Sequence, residues 1–549
     1  MLVTTGLNQL ICADPTMAHA ILNGRREFVQ PDIVCKVMGF LGSNILTSNG
    51  ESWSRQRRVV APVLNERISP EVYKATAKQA ESFVNNILSS PSTSTPSMTT
   101  ATATTSTTIQ GLRTIAINVL TKIAYGDNKP FAITPLPGDP SAPMSYVDAI
   151  SLCTELLDLA AFIPIRILRL PFMSNVVQTL GAALHRLPGL TVDMLDRERR
   201  RLAEVSSLNS PSDELLTTAT VGKTDTIMSM LVRLSDQEKS RAVPAEKSAT
   251  ATAGNSNPKS YLTEEEIAGN LFIFTAAGFD TTANTLAYAV TLLAAYPEWQ
   301  AWIQAELDVV LGPPTPSTSS SPEQEGRELP DYSVVFPKLT RCLAVMNPKF
   351  ETLRLFPPLT HLMRSNITTQ TLPSQIPTST TLQSSSTSTS TLPSSTTTSS
   401  YTFPPCTVYI NTVALHTSPK TWGPDALSFT PTRWLTSPQP SPSSSSPQPP
   451  HIQPPRGTFL PWSSGPRTCP GQKMAQVEFV TVLATLFHKC TVEPVPEVDE
   501  SGNTQAKTTP EVAAAQARQR LLDLTQDSQP RLTLQMNRPK DVRLRWTRR

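Results

Sequence analysis

One cysteine of this chain lies among residues that mostly form turns, in the stretch "PWSSGPRTCPG" at positions 461–471. A Gly-Pro and a Pro-Gly pair bracket Cys469, and an amphipathic helix is predicted directly after them, over Gln472–Lys489. Backbone N–H groups and the positive end of a helix dipole favour a thiolate over a thiol at such a position. Because a thiolate can be a metal ligand or a nucleophile, Cys469 is the first candidate for chemistry.

These residues alone leave three interpretations of Cys469 open. No second cysteine or histidine stands beside it in the sequence, which argues against a zinc site. A nucleophile, a haem ligand and an inert loop thiol are the alternatives. The seven cysteines are scattered without a Cys-x-x-Cys pair, so the sequence predicts neither a disulfide framework nor a zinc cluster.

Two further groups could do chemistry. In "AAGFDTT", Asp280 and Thr281 place a carboxyl beside a hydroxyl, and a helical threonine can donate back to the carbonyl one turn earlier. In "ETLR", Glu351 and Arg354 stand three apart and share a helix face. Taken alone, the first group is a buried helix that needs small residues, and the second is a surface ion pair worth roughly 0–1 kcal/mol.

The cysteine stretch resembles the haem-binding signature of the cytochromes P450, which are haem-thiolate monooxygenases. That signature has an aromatic residue, Gly, Arg, Cys and Gly at fixed spacings, and the residues that match it are Trp462, Gly465, Arg467, Cys469 and Gly471. Tryptophan stands where phenylalanine is commoner in the family. The resemblance implies that Cys469 is the axial thiolate on the haem iron, whose electron push favours O–O cleavage. It also implies that Arg467 pairs with a haem propionate.

"AAGFDTT" resembles the oxygen-activation segment of the same family. The resemblance implies that Ala277 and Gly278 leave room for dioxygen beside the long helix. It further implies that Asp280 and Thr281 form the acid–alcohol pair that delivers protons.

Other motifs match the family in the same order along the chain. "WSRQR" and the segment after "RLFPP" imply three contacts to haem propionates, from Trp53, Arg57 and Arg364. "ETLR" and "FTPTRW" imply a Glu–Arg–Arg cluster behind the cysteine stretch with an architectural role, made of Glu351, Arg354 and Arg433. The residues that fall where the family lines its substrate pocket are Leu359, Thr360 and Leu362.

The elements that must position these residues are mostly helical. Thr263 and Glu266 form a capping box, and the apolar run that follows predicts a buried helix about 45 Å long. Asp280 lies well inside that run and argues against a membrane span, because a carboxylate at mid-bilayer costs roughly 2.5–3.5 kcal/mol. Other helices are predicted over Pro15–Glu27, Glu51–Leu64, Ile109–Tyr125, Pro297–Leu311 and Gln472–Lys489. The clearest predicted strand is Cys406–Leu415.

Composition limits the function classes. A net charge of +3, from 47 basic and 44 acidic residues, is too small to indicate a nucleic-acid partner. Five Ser/Thr/Pro-rich stretches cannot bury enough apolar surface to fold, and are predicted to be disordered insertions in the surface loops of a single domain over residues 1–549. They lie near residues 89–108, 235–260, 313–328, 366–400 and 437–455.

The resemblance implies a mainly α fold with small β-sheets and a long central helix, the cytochrome P450 fold. It implies haem b as cofactor and a reaction that inserts one atom of O2 into an organic, lipophilic substrate. Electrons would come from NADPH through a flavoprotein reductase, at the endoplasmic reticulum membrane. The alternatives are an inactive haem-binding product, or a haem-thiolate isomerase or dehydratase, against which the intact Asp280-Thr281 pair speaks.

The sequence departs from the family pattern in two places. Ahead of "ICADPTMAHAIL", the membrane anchor, the first helix and the first strands of eukaryotic members are expected to be absent, which leaves a cytosolic location open. In "LAVMNPKFETLRLFPP", Pro348–Phe350 looks inserted into a helix, where a proline costs about 3 kcal/mol. Alternatively the helix starts at Pro348, since proline is well tolerated at the first position.

Overall fold

The structure, a computed structural model, divides the chain into two units. Unit 1 comprises Met1–Asp32 and Leu353–Cys469, and unit 2 comprises Ile33–Thr352 and Pro470–Arg549. The residues that the structure describes are 2–4, 7–89, 101–208, 226–248, 261–314, 330–346, 351–374, 399–435, 454–496 and 509–549.

Helices dominate the described residues. In chain order they are α1 (Pro15–Asn23), α2 (Asp32–Met38), α3 (Gly50–Val60), α4 (Ser69–Ser89), α5 (Thr108–Tyr125), α6 (Tyr146–Glu155), α7 (Leu157–Phe162), α8 (Ile165–Leu168), α9 (Asn175–Leu208), α10 (Ile227–Ser248), α11 (Glu264–Ala295), α12 (Pro297–Leu311), α13 (Tyr332–Val335), α14 (Thr340–Met346), α15 (Glu351–Leu355), α16 (Thr412–Thr417), α17 (Pro419–Trp422), α18 (Gln472–Lys489) and α19 (Pro510–Gln526).

The strands are short. In chain order they are β1 (Leu2–Thr4), β2 (Leu7–Cys12), β3 (Phe28–Val29), β4 (Thr102–Thr105), β5 (His361–Asn366), β6 (Gln370–Ser374), β7 (Ser399–Phe403), β8 (Cys406–Asn411), β9 (Cys490–Pro494), β10 (Ser528–Pro530), β11 (Leu534–Met536) and β12 (Leu544–Arg548). Short strands and long helices together confirm the predicted mainly α fold with small sheets.

Unit 1 is built on a five-stranded sheet in the order β1-β2-β8-β5-β3. The β2–β8 pair is parallel and the other pairs are antiparallel. Buried and half-buried residues alternate along β8, because one face of the sheet packs on the core of the unit. Asp14 caps α1 by accepting hydrogen bonds from the backbone N–H groups of Thr16 and Met17, at 2.8 and 3.0 Å.

Unit 2 is organised around α11, which spans 32 residues and so about 48 Å. The capping box of Thr263 and Glu266 is present at its start, and most of its side chains are buried, so the predicted core helix is confirmed. α11 packs against α5 and α19, and α4 packs against α18. Strands β4, β12 and β9 form an antiparallel sheet, and β10 pairs with β11.

Among the helices of the described residues, none is both long enough and apolar enough to cross a membrane.

The other predicted helices are present with small shifts at their ends. α12 and α18 have the predicted bounds, and α5 begins one residue earlier than expected. α1 ends at Asn23, four residues early, where Gly24 caps it. The strand predicted over Cys406–Leu415 ends at Asn411, because the Asn411 side chain accepts from the Ala414 N–H and starts α16.

Three of the predicted insertions contain regular structure and need correction. Residues 235–248 continue α10, whose first turns are buried apolar residues that precede the tract. Thr102–Thr105 form β4, which pairs with β12 and buries Ala103. Residues 370–374 and 399–400 belong to the β6–β7 hairpin. Residues 90–100, 249–260 and 375–398 of these tracts, and nearly all of 313–328 and 437–455, lie outside the described residues.

The expectation that no strands precede the first matched helix is wrong. β1 and β2 stand ahead of α1, and β2 joins the unit 1 sheet as the parallel neighbour of β8. β2 is formed by pairing with the distant β8, and a contact of this separation leaves no local pattern in the sequence. The segment Pro348–Phe350 lies outside the described residues, between the end of α14 and the start of α15.

Candidate active site

The cysteine loop, defined as residues 460–469, is held by backbone hydrogen bonds. The Cys469 N–H donates to the Trp462 carbonyl over 2.9 Å, and the Thr468 hydroxyl donates to the same carbonyl over 3.3 Å. The Thr468 N–H donates to the carbonyl of Gly465 over 3.1 Å and closes a short 3-10 turn. These bonds fix the backbone that leads into the half-buried Cys469 from its N-terminal side.

Gly465 is required by the shape of the cysteine loop. Its φ is +69°, a left-handed conformation that costs an L-residue with a side chain roughly 1–2 kcal/mol. An added Cβ would also stand 2.5 Å from the carbonyl oxygen of Leu22 at the end of α1. Only glycine lets the loop approach α1 this closely, which gives a physical reason for the second matched position of the motif.

The start of α18 follows the cysteine loop in the chain. Gly471 is its N-cap residue, and the helix begins three residues after Cys469. A helix N-terminus at this sequence distance favours negative charge, as expected for a cysteine that works as a thiolate.

Arg364 is a buried cation on β5. Its side chain is 6% exposed, and its Nη1 donates to the Met363 carbonyl at 2.7 Å and to Gln30 Oε1 at 3.5 Å. Within the residues that the structure describes, no carboxylate pairs with it. Burial therefore lowers the pKa of the Arg364 guanidinium to about 10. A buried guanidinium with neutral partners is suited to an anionic ligand.

Arg354 and Arg433 hold one segment of unit 1. The Arg354 guanidinium is fully buried and donates to the carbonyls of His416, Ala426 and Ser428. Arg433 donates to the Trp422 carbonyl at 3.0 Å and to Asp425 Oδ2 at 2.7 Å. The two arginines therefore fix the segment 416–428. Their cluster with Glu351 stays a prediction. Glu351, the third predicted member, is fully buried and belongs to unit 2.

Sequence reasoning missed His416. This fully buried imidazole accepts a 2.7 Å hydrogen bond at Nε2 from the N–H of Leu460, the first residue of the cysteine loop. Its Nδ1 lies 3.3 Å from the carbonyl of Leu353, so Nδ1 carries the proton in a neutral ring. Burial lowers the pKa of His416 to about 3. The only sequence signal was a lone histidine in the largely apolar run "TVALH".

Asp280 of α11 is a buried carboxyl with partners in unit 2. Its Oδ2 accepts a 2.6 Å hydrogen bond from the Thr533 hydroxyl. That hydroxyl in turn accepts from Asn284 Nδ2 at 2.8 Å, one helical turn along α11. Asp280 is 4% exposed and Thr533 is 2% exposed, so this chain of bonds is shielded from water. Neither Thr533 nor its bond to Asp280 could be read from the sequence, since 253 positions separate the two.

Two arginines and a second carboxylate face Asp280. Arg113 Nη1 lies 3.9 Å from Asp280 Oδ1 and 3.2 Å from Glu155 Oε2, and Arg531 Nη1 lies 3.2 Å from Glu155 Oε1. Burial raises the pKa of the Asp280 carboxyl above its ordinary value, while the Thr533 hydrogen bond and the Arg113 charge oppose that rise. Burial and the neighbouring donor and cation thus shift the pKa of Asp280 in opposite directions.

Thr281 makes the predicted back-bond. Its hydroxyl donates to the Ala277 carbonyl at 2.7 Å. Thr275, Thr282, Thr285 and Thr291 make the same bond along α11, so this geometry alone does not single out Thr281.

Gly278 faces a neighbouring helix. A Cβ added there would stand 3.3 Å from the Leu120 side chain of α5. The small residue at 278 thus serves helix packing, and space for dioxygen beside Ala277 stays a prediction.

The "WSRQR" motif forms α3. Trp53 is buried and Arg57 is half-buried, four residues apart on the helix. The sequence did not predict a role for the arginine between them. Arg55 makes two 2.6 Å hydrogen bonds to the two oxygens of Glu266, which ties α3 to the start of α11.

Comparisons with known proteins assign the class. The family model described as "Cytochrome P450" matches residues 6–327 and 386–515. A crystal structure of a cytochrome P450 superposes with a TM-score of 0.58 at 18% identity, covering 98% of this chain and 89% of that one, and it supports the fold. The chain belongs to the cytochrome P450 family.

Curated relatives carry matching names. A "Phomenoic acid biosynthesis cluster cytochrome P450 monooxygenase" of Leptosphaeria maculans is 30% identical over 506 residues, which are 88% of this chain and 73% of the relative. A cytochrome P450 monooxygenase of Arthrobotrys oligospora is 25% identical over 91% of this chain and 77% of its own length. A third, from Penicillium roqueforti, is 26% identical over 87% of this chain and 73% of its own. The class of enzyme is a cytochrome P450 monooxygenase, an oxidoreductase that incorporates molecular oxygen, with haem iron as the family's cofactor.

The residues of unit 1 fit a haem. A cysteine at a helix start is a thiolate donor of the kind that binds haem iron. The buried Arg364 guanidinium lacks an anionic partner among the described residues and can pair with a propionate. The donor and the cation both match a ligand that combines iron with carboxylates.

Proposed function

We propose that this chain is a haem-dependent monooxygenase that inserts one oxygen atom from O2 into an organic, lipophilic substrate. The observation that carries the proposal is the cysteine loop, in which a glycine at φ +69° and the bond from Cys469 N–H to the Trp462 carbonyl fix the backbone ahead of α18. Cys469 is the axial thiolate in this proposal, and Arg467 and Arg364 are contacts to the haem propionates. The propionate contacts of Trp53 and Arg57 stay predictions from the sequence motif.

Asp280 and Thr281 are the proposed proton-delivering residues. Bound haem iron supplies the oxygen chemistry, and the task of the protein is to position substrate and direct protons. The Thr281 hydroxyl holds a proton that it shares with the Ala277 carbonyl. Burial raises the pKa of the Asp280 carboxyl above its ordinary value, and the Thr533 hydrogen bond and the Arg113 charge oppose that rise. A carboxyl in such a balance can both take up and release a proton.

The proposal also covers the cofactor, the source of electrons and the location of the protein in the cell. We assign haem b as the cofactor, and NADPH as the source of electrons through a flavoprotein reductase. Attachment to the endoplasmic reticulum membrane follows the same family pattern. The name of the Leptosphaeria maculans relative places it in an acid biosynthesis cluster, which makes lipophilic organic acids the first ligands to test.

The test is a screen followed by isotope labelling. Lipophilic acids, alcohols and hydrocarbons are added to the haem-loaded protein, and a shift of the Soret band reports ligands that enter the site. Each hit is then incubated with NADPH, a flavoprotein reductase and ¹⁸O2. The proposal predicts one ¹⁸O atom in the product and NADPH consumption that depends on the reductase. An isomerised or dehydrated product without ¹⁸O would contradict it.

A further inference from the structure

A threonine from a distant part of the chain bridges two polar residues of α11. Thr533 lies between β10 and β11, and its hydroxyl accepts a hydrogen bond from Asn284 Nδ2 at 2.8 Å. An amide nitrogen has no acceptor to offer, so the hydroxyl proton is free for the 2.6 Å bond to Asp280 Oδ2. While Asp280 is ionised its Oδ2 can only accept, so the direction of both hydrogen bonds is fixed in that state.

We propose that Thr533 is a positioning residue for proton delivery, which acts by holding Asp280 Oδ2 and is itself oriented by Asn284. The proposal rests on the proposed function of Asp280. It extends that function from the "AAGFDTT" segment to the hairpin formed by β10 and β11.

The surroundings of Asp280 leave this task to Thr533. Arg113 of α5 is 3.9 Å from Asp280 Oδ1, beyond hydrogen-bond range, and shares its charge with Glu155 of α6. Arg531 of the same hairpin reaches Glu155 and not Asp280. The Thr533 hydrogen bond is therefore the short contact that fixes the orientation of the Asp280 carboxyl. The charged groups around Asp280 act on it through the electrostatic potential and not through a hydrogen bond.

The bond also affects the protonation of Asp280. A donor to a carboxylate oxygen stabilises the charged form, whereas burial favours the neutral form. Loss of the Thr533 hydroxyl should raise the pKa of Asp280 and leave its carboxyl free to rotate. Protons would then be supplied less directly, and more of the reduced oxygen should leave as hydrogen peroxide.

Three variants separate positioning from a structural role. Thr533→Val removes the hydroxyl and keeps the branched shape, and Thr533→Ser restores the hydroxyl. Thr525→Val is the control, because Thr525 is equally buried just ahead of the hairpin and donates only to the Leu522 carbonyl.

Two measurements are made on the haem-loaded protein. Infrared difference spectra between pH values follow the carboxyl band that Asp280→Asn removes, which reports the titration of Asp280 without turnover. In the second, NADPH and a flavoprotein reductase are added without organic substrate, and the ratio of NADPH to O2 consumed is recorded. Each O2 requires one NADPH to form peroxide and two to form water.

We expect Thr533→Val to raise the titration midpoint of Asp280 and to slow water formation about tenfold. This is less than the roughly 10²–10⁴-fold that positioned proton transfer contributes, because the Asp280 carboxyl itself remains. Thr533→Ser should retain both native values, and Thr525→Val should change neither. An unchanged midpoint and an unchanged NADPH-to-O2 ratio in Thr533→Val would overturn the inference. Failure of the proposed function would look different, because the unaltered protein would then oxidise no NADPH while the infrared shift persisted.

Discussion

The N–H of Leu460 donates a 2.7 Å hydrogen bond to Nε2 of His416. The first residue of the cysteine loop is thereby tied to a fully buried, neutral imidazole. The carbonyl of the same histidine accepts from Arg354, so one residue links the loop to the arginines that hold the segment 416–428. The bond predicts a specific dependence of stability on pH.

His416 should make the folded protein sensitive to acid. Its pKa is about 3 in the folded state, against an ordinary value near 6.5, so the unfolded chain binds more protons between these limits. Its stabilising effect is complete above pH 6.5 and declines as pH falls toward 3, by up to about 1.4 kcal/mol per pH unit. Urea unfolding at several pH values should show that His416→Gln lowers the free energy of unfolding by about 1–3 kcal/mol at pH 7, and by progressively less at lower pH.

A matched control is His185→Gln, since His185 is exposed. This variant should unfold like the native protein at every pH. A constant difference between His416→Gln and the native protein from pH 7 to pH 4 would contradict the assignment of a neutral, bonded imidazole.

Gly465→Ala should weaken the cysteine loop. The left-handed φ costs roughly 1–2 kcal/mol for alanine, and the new Cβ meets the Leu22 carbonyl at 2.5 Å. We expect lower haem content per protein and a lower urea midpoint. Gly138→Ala is the control, because nothing lies within 4 Å of its added Cβ and Gly138 does not have a positive φ. Equal haem content in the two variants would show that the loop tolerates the change.

The serine-rich tract between β6 and β7 should be dispensable. The hairpin register ends with Ser374 opposite Ser399, so residues 375–398 can be replaced by the two-residue turn Asn-Gly. Each halving of loop length lowers the free-energy cost of closing the loop by only about 0.6 kcal/mol. Haem content should therefore stay unchanged, and the free energy of unfolding should rise slightly. Deletion of the whole hairpin, residues 370–403, should lower both. Loss of haem on the short replacement would mean that the tract supports the fold.

Thr281→Ala should divert electrons without loss of haem. Dioxygen should still be reduced, but the hydroxyl that directs protons is missing, so a larger share of the electrons from NADPH should reduce O2 only to hydrogen peroxide. Thr291→Ala removes the same kind of back-bond, to Ala287, elsewhere on α11 and is the matched control. Equal peroxide yields from the two variants would remove Thr281 from proton delivery.

Local patterns predicted much of the fold. The capping box of Thr263 and Glu266 marks the start of α11, and Pro297 is the first residue of α12, as predicted, because both signals act within one helical turn. Compositional bias was less reliable. The Ser/Thr-rich edges of the tracts form β4, β6 and β7, since strand pairing with distant partners overrides the local polarity.

The same difference between local signals and long-range contacts applies to the residues of the candidate site. Sequence motifs predicted Cys469 and Asp280 as site residues, because the residues next to each of them in the chain form the motif. His416 and Thr533 were missed because their partners, Leu460 and Asp280, lie 44 and 253 positions away. Contacts of this separation arise from tertiary packing and leave no periodic mark on the sequence.

The ferrous carbonyl spectrum of Cys469→Ser tests the central claim most directly. A serine hydroxyl is a poor substitute for a soft thiolate donor, so the variant should lack the red-shifted Soret band that we expect of the native protein. Cys490→Ser and Cys342→Ser change buried thiols with raised pKa values and should retain it. Loss of the band in Cys469→Ser alone is the predicted result, and a retained thiolate spectrum in that variant would contradict the account.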